Sequence, residues 1–294
     1  MKVHPFIEAE KAAGHSVKRC CDLLEVSSSA YYERRSARPT ARQLSDQELT
    51  ATIIEIHKES KGTYGSPRIL AELRHRGVHC GRRRVRRLMR IAGLEGRCKR
   101  RHRVTTVQDP AMDAAIDLIK RQFSTSQDLD RRYVGDITYI PTLEGFSYLA
   151  TVIDLASRRV VGWALSSSLR TELVEAALRS AIRQRGPMHG VIFHSDKGCQ
   201  YTSRDFARLA HRNGVVLSVG RTGDCFDNAV AESFFATIKR ELISTQVWRT
   251  RAELHAAVFE YIEGWFNTRR LHSSLGYVSP ATWESSCQTL ALAA

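Results

Sequence analysis

Near residue 131 the spacing of apolar residues changes from helical to strand-like, and this change restricts the available folds more than any other feature. The runs YVGDITYIP, GFSYLATVIDLAS and RRVVGWALS are rich in β-branched and aromatic residues, with turns expected at Leu143 to Gly145 and at Ser157 to Arg159. Connections this short join antiparallel neighbours. The pattern then alternates. TELVEAALRSAIRQRG reads as an amphipathic helix, MHGVIFHSD as a short buried strand, SRDFARLAHRNG as a helix ending at Asn213-Gly214, and VVLSVG as a last strand before a helix containing AVAESFFATIKREL. Strands separated by helices pair in parallel, so the order β-β-β-α-β-α-β-α predicts an α/β fold, a mixed five-stranded sheet flanked by helices. A long helix over RAELHAAVFEYIEGWFNTRR and a tail, LHSSLGYVSPATW, follow.

Before the sheet the chain reads as short helices. Val17, Cys20, Cys21 and Leu24 form an apolar stripe, and Ser27 to Ser29 lead into a helix with Tyr31 and Tyr32, so residues 1–37 resemble a helix-turn-helix segment. RPTARQ, residues 38 to 43, reads as a linker. In the next group, residues 45–104, Ser45 with Glu48 suggests a capping box and Ser66-Pro67 a helix start. GRRRVRRLMRIAGL then turns Val85, Leu88, Met89 and Ile91 inward and ends at Gly93. Residues 1 to 107 hold 24 Lys+Arg against 11 Asp+Glu, whereas the rest of the chain is nearly neutral. A segment this basic favours a polyanion, of which nucleic acid is the commonest. Arg82, Arg83, Arg86, Arg87 and Arg90 ring the outer face of that helix, and Lys99, Arg100 and Arg101 lie in the aperiodic basic run RCKRRHRV. These are the candidate DNA contacts.

Neither a signal peptide nor a run of apolar residues long enough for a membrane span is visible, so the chain is expected to be soluble and intracellular. Its seven cysteines are irregularly spaced, as expected of reduced thiols. His75, His79 and Cys80 offer metal donors, but no second pair completes a zinc set.

Three acids from separate segments could meet where strands end: Asp136 in YVGDITYI, Asp196 directly after VIFHS, and Glu232 on the helix after the last strand. Carboxylates suit hard divalent cations, and a pair of such ions can clamp both the attacking and the leaving oxygen of a phosphodiester. Each acid alone has an ordinary reading, as a strand-end cap, a turn residue in SDKG, and a solvated helix face. Asn228 and Lys239 share the helical face of Glu232, whereas Glu241 with Arg240 reads as charged surface and Asp154 as a turn-forming residue before Ser157.

The blocks DITYI, HSDKGCQYTS and SVGRTGDCFDNAVAESFFATIKRE closely resemble the signature blocks of integrase-like transposases of the insertion-sequence-three family, the OrfB component. Thirty-five residues separate Asp196 from Glu232, the interval typical of that Asp-Asp-Glu group. GTYGSPRI with RRVRRLMRIAGL resembles the family's upstream helix-turn-helix-like region, and FNTRRLHSSLGYVSP its tail. The resemblance implies a ribonuclease-H-like integrase core over residues 125–285, preceded by an all-α helix-turn-helix-like region. It implies metal-dependent cleavage of element ends and strand transfer, with Asp136, Asp196 and Glu232 as catalytic ligands of magnesium or manganese, as two ions. Asn228, Lys239 and Arg270 would contact DNA, with Arg270 and His272 also anchoring the tail. The implied partners are the terminal inverted repeats and target DNA, further copies of the chain, and an upstream-frame (OrfA) product as fusion or partner; the setting is bacterial cytoplasm at the nucleoid. Three positions depart from the pattern: Tyr133 replaces a common Trp, and Lys197 and Cys199 stand where Arg and Ser are usual. Unlike retroviral integrases, the helical region lacks a zinc module and should fold without metal. A rival reading is a catalytically inactive DNA-binding regulator derived from a transposable element, and a third is a nuclease that only hydrolyses.

Overall fold

The computed structural model describes residues 3–35, 39–97, 128–219 and 229–293. Its centre is a sheet of β1 (Arg132–Thr142), β2 (Gly145–Asp154), β3 (Val160–Ser166), β4 (Ile192–Ser195) and β5 (Val216–Val219), in the order β3-β2-β1-β4-β5. β1 pairs antiparallel with β2, and β2 with β3, whereas β1 with β4 and β4 with β5 are parallel. The mixed five-stranded sheet expected from the sequence is therefore present.

Strand alternation sends side chains to two cores. On one face Tyr133, Val152 and Phe193 meet α7 (Thr171–Arg185) and α8 (Arg204–Arg212). Helix α7 lies so close to β3 that a Cβ at Gly162 would stand 2.4 Å from the Ala177 carbonyl oxygen, so only glycine fits there. On the other face Val134, Ile140, Leu149 and Ile153 pack against α9 (Ala229–Glu241), α10 (Arg251–Phe259) and the π-helical turns Glu260–Phe266.

The predicted long helix therefore changes pitch at Glu260. The wider turns bring Tyr261, Ile262, Trp265 and Phe266 all into the core and leave Asn267 fully buried. Its side-chain amide accepts from Val160 N at 3.0 Å and donates to Val160 O at 2.9 Å, as a neighbouring strand would. The tail forms a further helix, α11 (Pro280–Ala293), where the sequence reading had no element. Ser279 Oγ accepts from Thr282 N at 3.2 Å ahead of Pro280, an N-cap signal that the sequence did contain. Glu284 anchors this helix through Arg159 at 2.6 Å and through Arg185.

Upstream, α1 (Val3–Ala12), α2 (Val17–Leu23) and α3 (Ser28–Arg35) enclose a small core of Ile7, Val17, Cys20, Cys21 and Tyr31. The next three helices are α4 (Ala41–Glu59), α5 (Ser66–His75) and α6 (Arg82–Ile91). Helix α4 begins earlier than expected, because Thr40 and Gln43 form the capping box and Ser45 lies within the helix; residues 41–43 are its first turn and not linker. Their core is continuous with that of α9 and α10, and Tyr64 joins it by lying against Trp265 while its hydroxyl accepts from Leu271 N at 2.8 Å. Ile91, expected inside, is 68% exposed because the helix ends there. Among the described residues no helix is long and apolar enough to cross a membrane.

Candidate active site

Asp136 lies on the central strand, on the same side as Val134 and Ile140, and so faces the layer that contains α9. The preceding glycine is required by packing: a Cβ on Gly135 would stand 2.3 Å from the Phe193 ring. Parallel register sets Tyr133 beside Phe193 and Val134 beside His194. Continuing that register by two residues puts Asp136 level with Asp196, which immediately follows β4. Adjacent parallel strands direct level residues to one face, so the two aspartates share a side of the sheet. Glu232 occupies the first turn of α9, and Ala231, Phe234, Phe235 and Ile238 bury the helix against the same face.

The electrostatics report this convergence. Burial above all raises the Asp136 carboxyl to about 7, with the charges of Asp196 and Glu232 contributing to the rise, while a hydrogen bond from Ile137 N and the Lys239 charge act against it. Asp136 Oδ1 accepts from Ile137 N at 2.7 Å, and Asp196 Oδ1 accepts from Gly198 N at 3.1 Å. Asp196 and Glu232 are exposed, and Lys239 is half-buried with its ammonium 5.5 Å from the Tyr139 ring centroid. Among the described residues no three His, Cys, Asp or Glu side chains stand close enough to hold a metal ion as a closed set. Asp196 and Glu232 thus act on Asp136 across an open face.

Two residues near this face were missed in the sequence. Thr151, the cross-strand partner of Asp136, and Tyr201 are both buried, and neither hydroxyl has a hydrogen-bond partner among the described residues. Burial, then the charges of Asp136 and Asp196, raise the Tyr201 phenol far above its ordinary range. Tyr201 was legible within HSDKGCQYTS; nothing in the sequence marked Thr151. Tyr133 is fully buried, with its hydroxyl donating to Asp130 at 2.6 Å, an aromatic core position as expected. Asp154 is a buried turn acid, accepting from Ser157 Oγ at 2.8 Å and from Ala156 N at 3.2 Å.

The candidate DNA-binding residues fall into distinct groups. Arg82, Arg83, Arg86 and Arg90 are exposed on α6, opposite Val85, Leu88 and Met89. Arg87 turns inward with Arg84, and both bind Asp46, at 2.6 and 2.7 Å. Lys99, Arg100, Arg101 and Asn228 lie outside the described residues. Arg270 is buried: its guanidinium donates to both carboxylate oxygens of Glu241, at 2.7 and 2.9 Å, and Tyr261 donates to Glu241 Oε2 at 2.9 Å. Glu241 is therefore the buried partner of Arg270 and not charged surface, because the pitch change after Glu260 brings Tyr261 and Arg270 under the end of α9.

Comparisons with known proteins match the fold and the order of its parts. An integrase core domain model matches residues 129–225, a second integrase core domain model matches residues 213–280, and an HTH-like domain model matches residues 44–102. The chain is similar to the transposase for insertion sequence element IS904 of Lactococcus lactis, at 38% identity over 84% of this chain and 97% of that protein. It is similar to a 31 kDa protein of insertion element IS600 from Shigella sonnei, at 35% identity over 92% of this chain and 99% of that one. Similarity to the transposase InsF for IS3A of Escherichia coli is 35% over 95% of this chain and 97% of the relative.

Proposed function

Because the chain belongs to the insertion-sequence transposases with an integrase core, we propose that Asp136, Asp196 and Glu232 are the catalytic acids of a DNA strand-cutting and strand-joining site. The observation that carries this reading is convergence: the β1–β4 register sets Asp136 level with Asp196, and the charges of Asp196 and Glu232, far apart in sequence, both raise Asp136. Three facing acids repel one another and favour a shared cation.

The donor set fits magnesium or manganese, as two ions. All donors are carboxylate oxygens, and magnesium is typically held by one or two carboxylates together with substrate phosphates, which suits an open set. When bound, such a metal polarises a phosphoryl oxygen and makes a water or hydroxyl more nucleophilic near neutral pH. The chain's own residues do the rest. Asp136 sits on the central strand of the sheet; α9 carries Glu232 to the same face; and Lys239 places a positive charge beside Asp136. The exposed arginines of α6, with Lys99, Arg100, Arg101 and Asn228, would hold phosphates of the terminal repeats and the target. Joining two ends in concert calls for more than one copy of the chain, and an upstream-frame product would serve as fusion or partner.

Cleavage and joining of labelled element ends in magnesium tests the assignment. Glu232→Gln, Asp136→Asn and Asp196→Asn should each abolish both reactions while end binding stays near wild type. Wild-type cutting by any of the three removes that acid from the site.

A further inference from the structure

A cleft of about 640 Å³ opens along α9, between α5, the Asp154–Arg159 turn and the tail after the π-helical turns. Ser233, the neighbour of Glu232, and Thr237 one turn on form part of its wall. Five arginines line it, Arg68, Arg97, Arg158, Arg240 and Arg270, together with His272 and no Asp or Glu among the described residues. Three of these arginines are held by neutral groups or by a carboxylate behind the cleft. Arg97 donates to the carbonyls of Arg240 and Glu241 at 2.9 and 3.0 Å, Arg68 donates to the Leu271 carbonyl at 2.9 Å, and Arg270 binds Glu241. Arg240 Nε and His272 Nε2 are buried without a hydrogen-bond partner among the described residues, and His272 is only 9% exposed.

The cleft therefore gathers positive charge on a wall without acids of its own among the described residues, with Asp154 acting on Arg158 and Glu241 on Arg68 and Arg270 from behind. The consequence shows at His272, whose imidazole is held far below its ordinary range by burial and then by Arg270, Arg68 and Arg158. A neutral imidazole amid guanidinium groups, with the hydroxyls of Ser233 and Thr237 on the cleft wall, matches the needs of a phosphate: several donors and positive potential. The volume lies in the range of sites for a drug-sized group, enough for a nucleotide or two and not for a duplex.

We propose that this cleft is a second substrate subsite, holding phosphodiester groups of one DNA strand as it passes from the carboxylates along α9. The proposal rests on the reading above that the substrate is DNA, but it assigns different residues and a different physical signature. Ser233 follows Glu232 directly, so a strand held at Ser233 and Thr237 runs beside the acids without being coordinated by them.

The test measures binding of a short fluorescein-labelled oligothymidine to the full chain without magnesium, against salt, with labelled duplex element ends in parallel. The variant Arg158→Gln/Arg240→Gln should weaken single-strand binding about tenfold or more and make its salt slope shallower by about 1.4, the loss of two single-strand phosphate contacts. Duplex-end binding should change by less than about twofold, because the exposed α6 arginines are untouched. Arg240→Lys should keep the slope. A wild-type slope in the double variant, or equal loss on duplex ends, overturns the proposal. A measurement on the unaltered protein guards against misfolding: the His272 ring resonances should shift on titration with the oligothymidine and not with inorganic phosphate at the same concentration. No shift with the oligothymidine refutes the subsite, and an equal shift with phosphate identifies a general anion site instead. Glu232→Gln should bind the oligothymidine as wild type does, so failure of the three-acid assignment and failure of the cleft appear in separate assays.

Discussion

The pair Glu241–Arg270 allows a quantitative prediction. Both side chains are almost wholly buried, 2% and 5% exposed, and the guanidinium reaches the carboxylate through two hydrogen bonds while Tyr261 supplies a third. Glu241→Gln keeps the volume and removes the charge, leaving Arg270 as a buried cation without its counterion. Breaking such a pair from one side costs about 3 to 5 kcal/mol, most of it the penalty of the charge left behind. For a chain of this size, each kcal/mol lowers the melting temperature by about 2 to 4 °C. Thermal and urea melts at neutral pH should therefore show Tm falling by about 6 to 20 °C. The double variant Glu241→Met/Arg270→Met should recover much of that loss, since it removes both charges and keeps apolar volume. The pH dependence has a definite sign. Burial acts to raise the Glu241 carboxyl, but the hydrogen bonds and charge of Arg270 prevail and hold it below the ordinary range. A depressed acid stabilises above its unfolded value, about 4.3, and loses that contribution as pH falls through the folded one. The wild type and Glu241→Gln should thus differ fully at neutral pH and converge in acid. A loss under about 1 kcal/mol, or a gap that widens in acid, would refute the reasoning.

Two further outcomes follow from the site. Asp136, raised to about 7, must be deprotonated to serve a cation, so magnesium affinity by calorimetric titration should rise by up to about tenfold per pH unit below 7 and level off above it; a flat profile from about pH 6 to 8 contradicts this. Arg83→Ala and Arg86→Ala should each make the salt slope of duplex binding shallower by about 0.9, whereas Arg87→Ala should change it less and lower stability instead, because Arg87 is engaged with Asp46.

The sheet was legible because its strands are apolar and are joined either by tight turns or by single helices, so period and connection length settled pairing direction. Of the three candidate acids only Asp196 stood out as an acid directly after a buried strand; Asp136 lies within β1 and Glu232 on α9, and the signature blocks singled them out. The role of Glu241 was not legible. On α9 it follows Lys239 and Arg240, as surface acids often do, and its burial is decided by Tyr261 and Arg270, twenty and twenty-nine residues on. Tyr261 lies within seven residues of π-helix and Arg270 follows them, a pitch that hydrophobic spacing at 3.6 residues per turn does not reveal. The start of α4 was misplaced for a simpler reason, since Thr40-Gln43 and Ser45-Glu48 are equivalent capping signals and only packing chooses between them.

These corrections bear on how α9 works. Its first turn carries Glu232, and its last turn is held from two sides: Arg97, from the helical region upstream of the sheet, donates to the final carbonyls, and Arg270, from the segment after the π-helical turns, binds the carboxylate of Glu241. A cation at a helix C-terminus favours the helix through its dipole, and a bidentate ion pair fixes its rotation. Glu232 and the wall of the basic cleft are successive residues on this one rod, so a force that turns the rod moves both. Loosening Arg97 would disturb the approach of Glu232 to Asp136 without touching either acid. That makes the upstream helical region a structural support of the proposed catalytic face as well as a candidate surface for DNA, in keeping with the one core that α4, α5 and α6 share with α9 and α10.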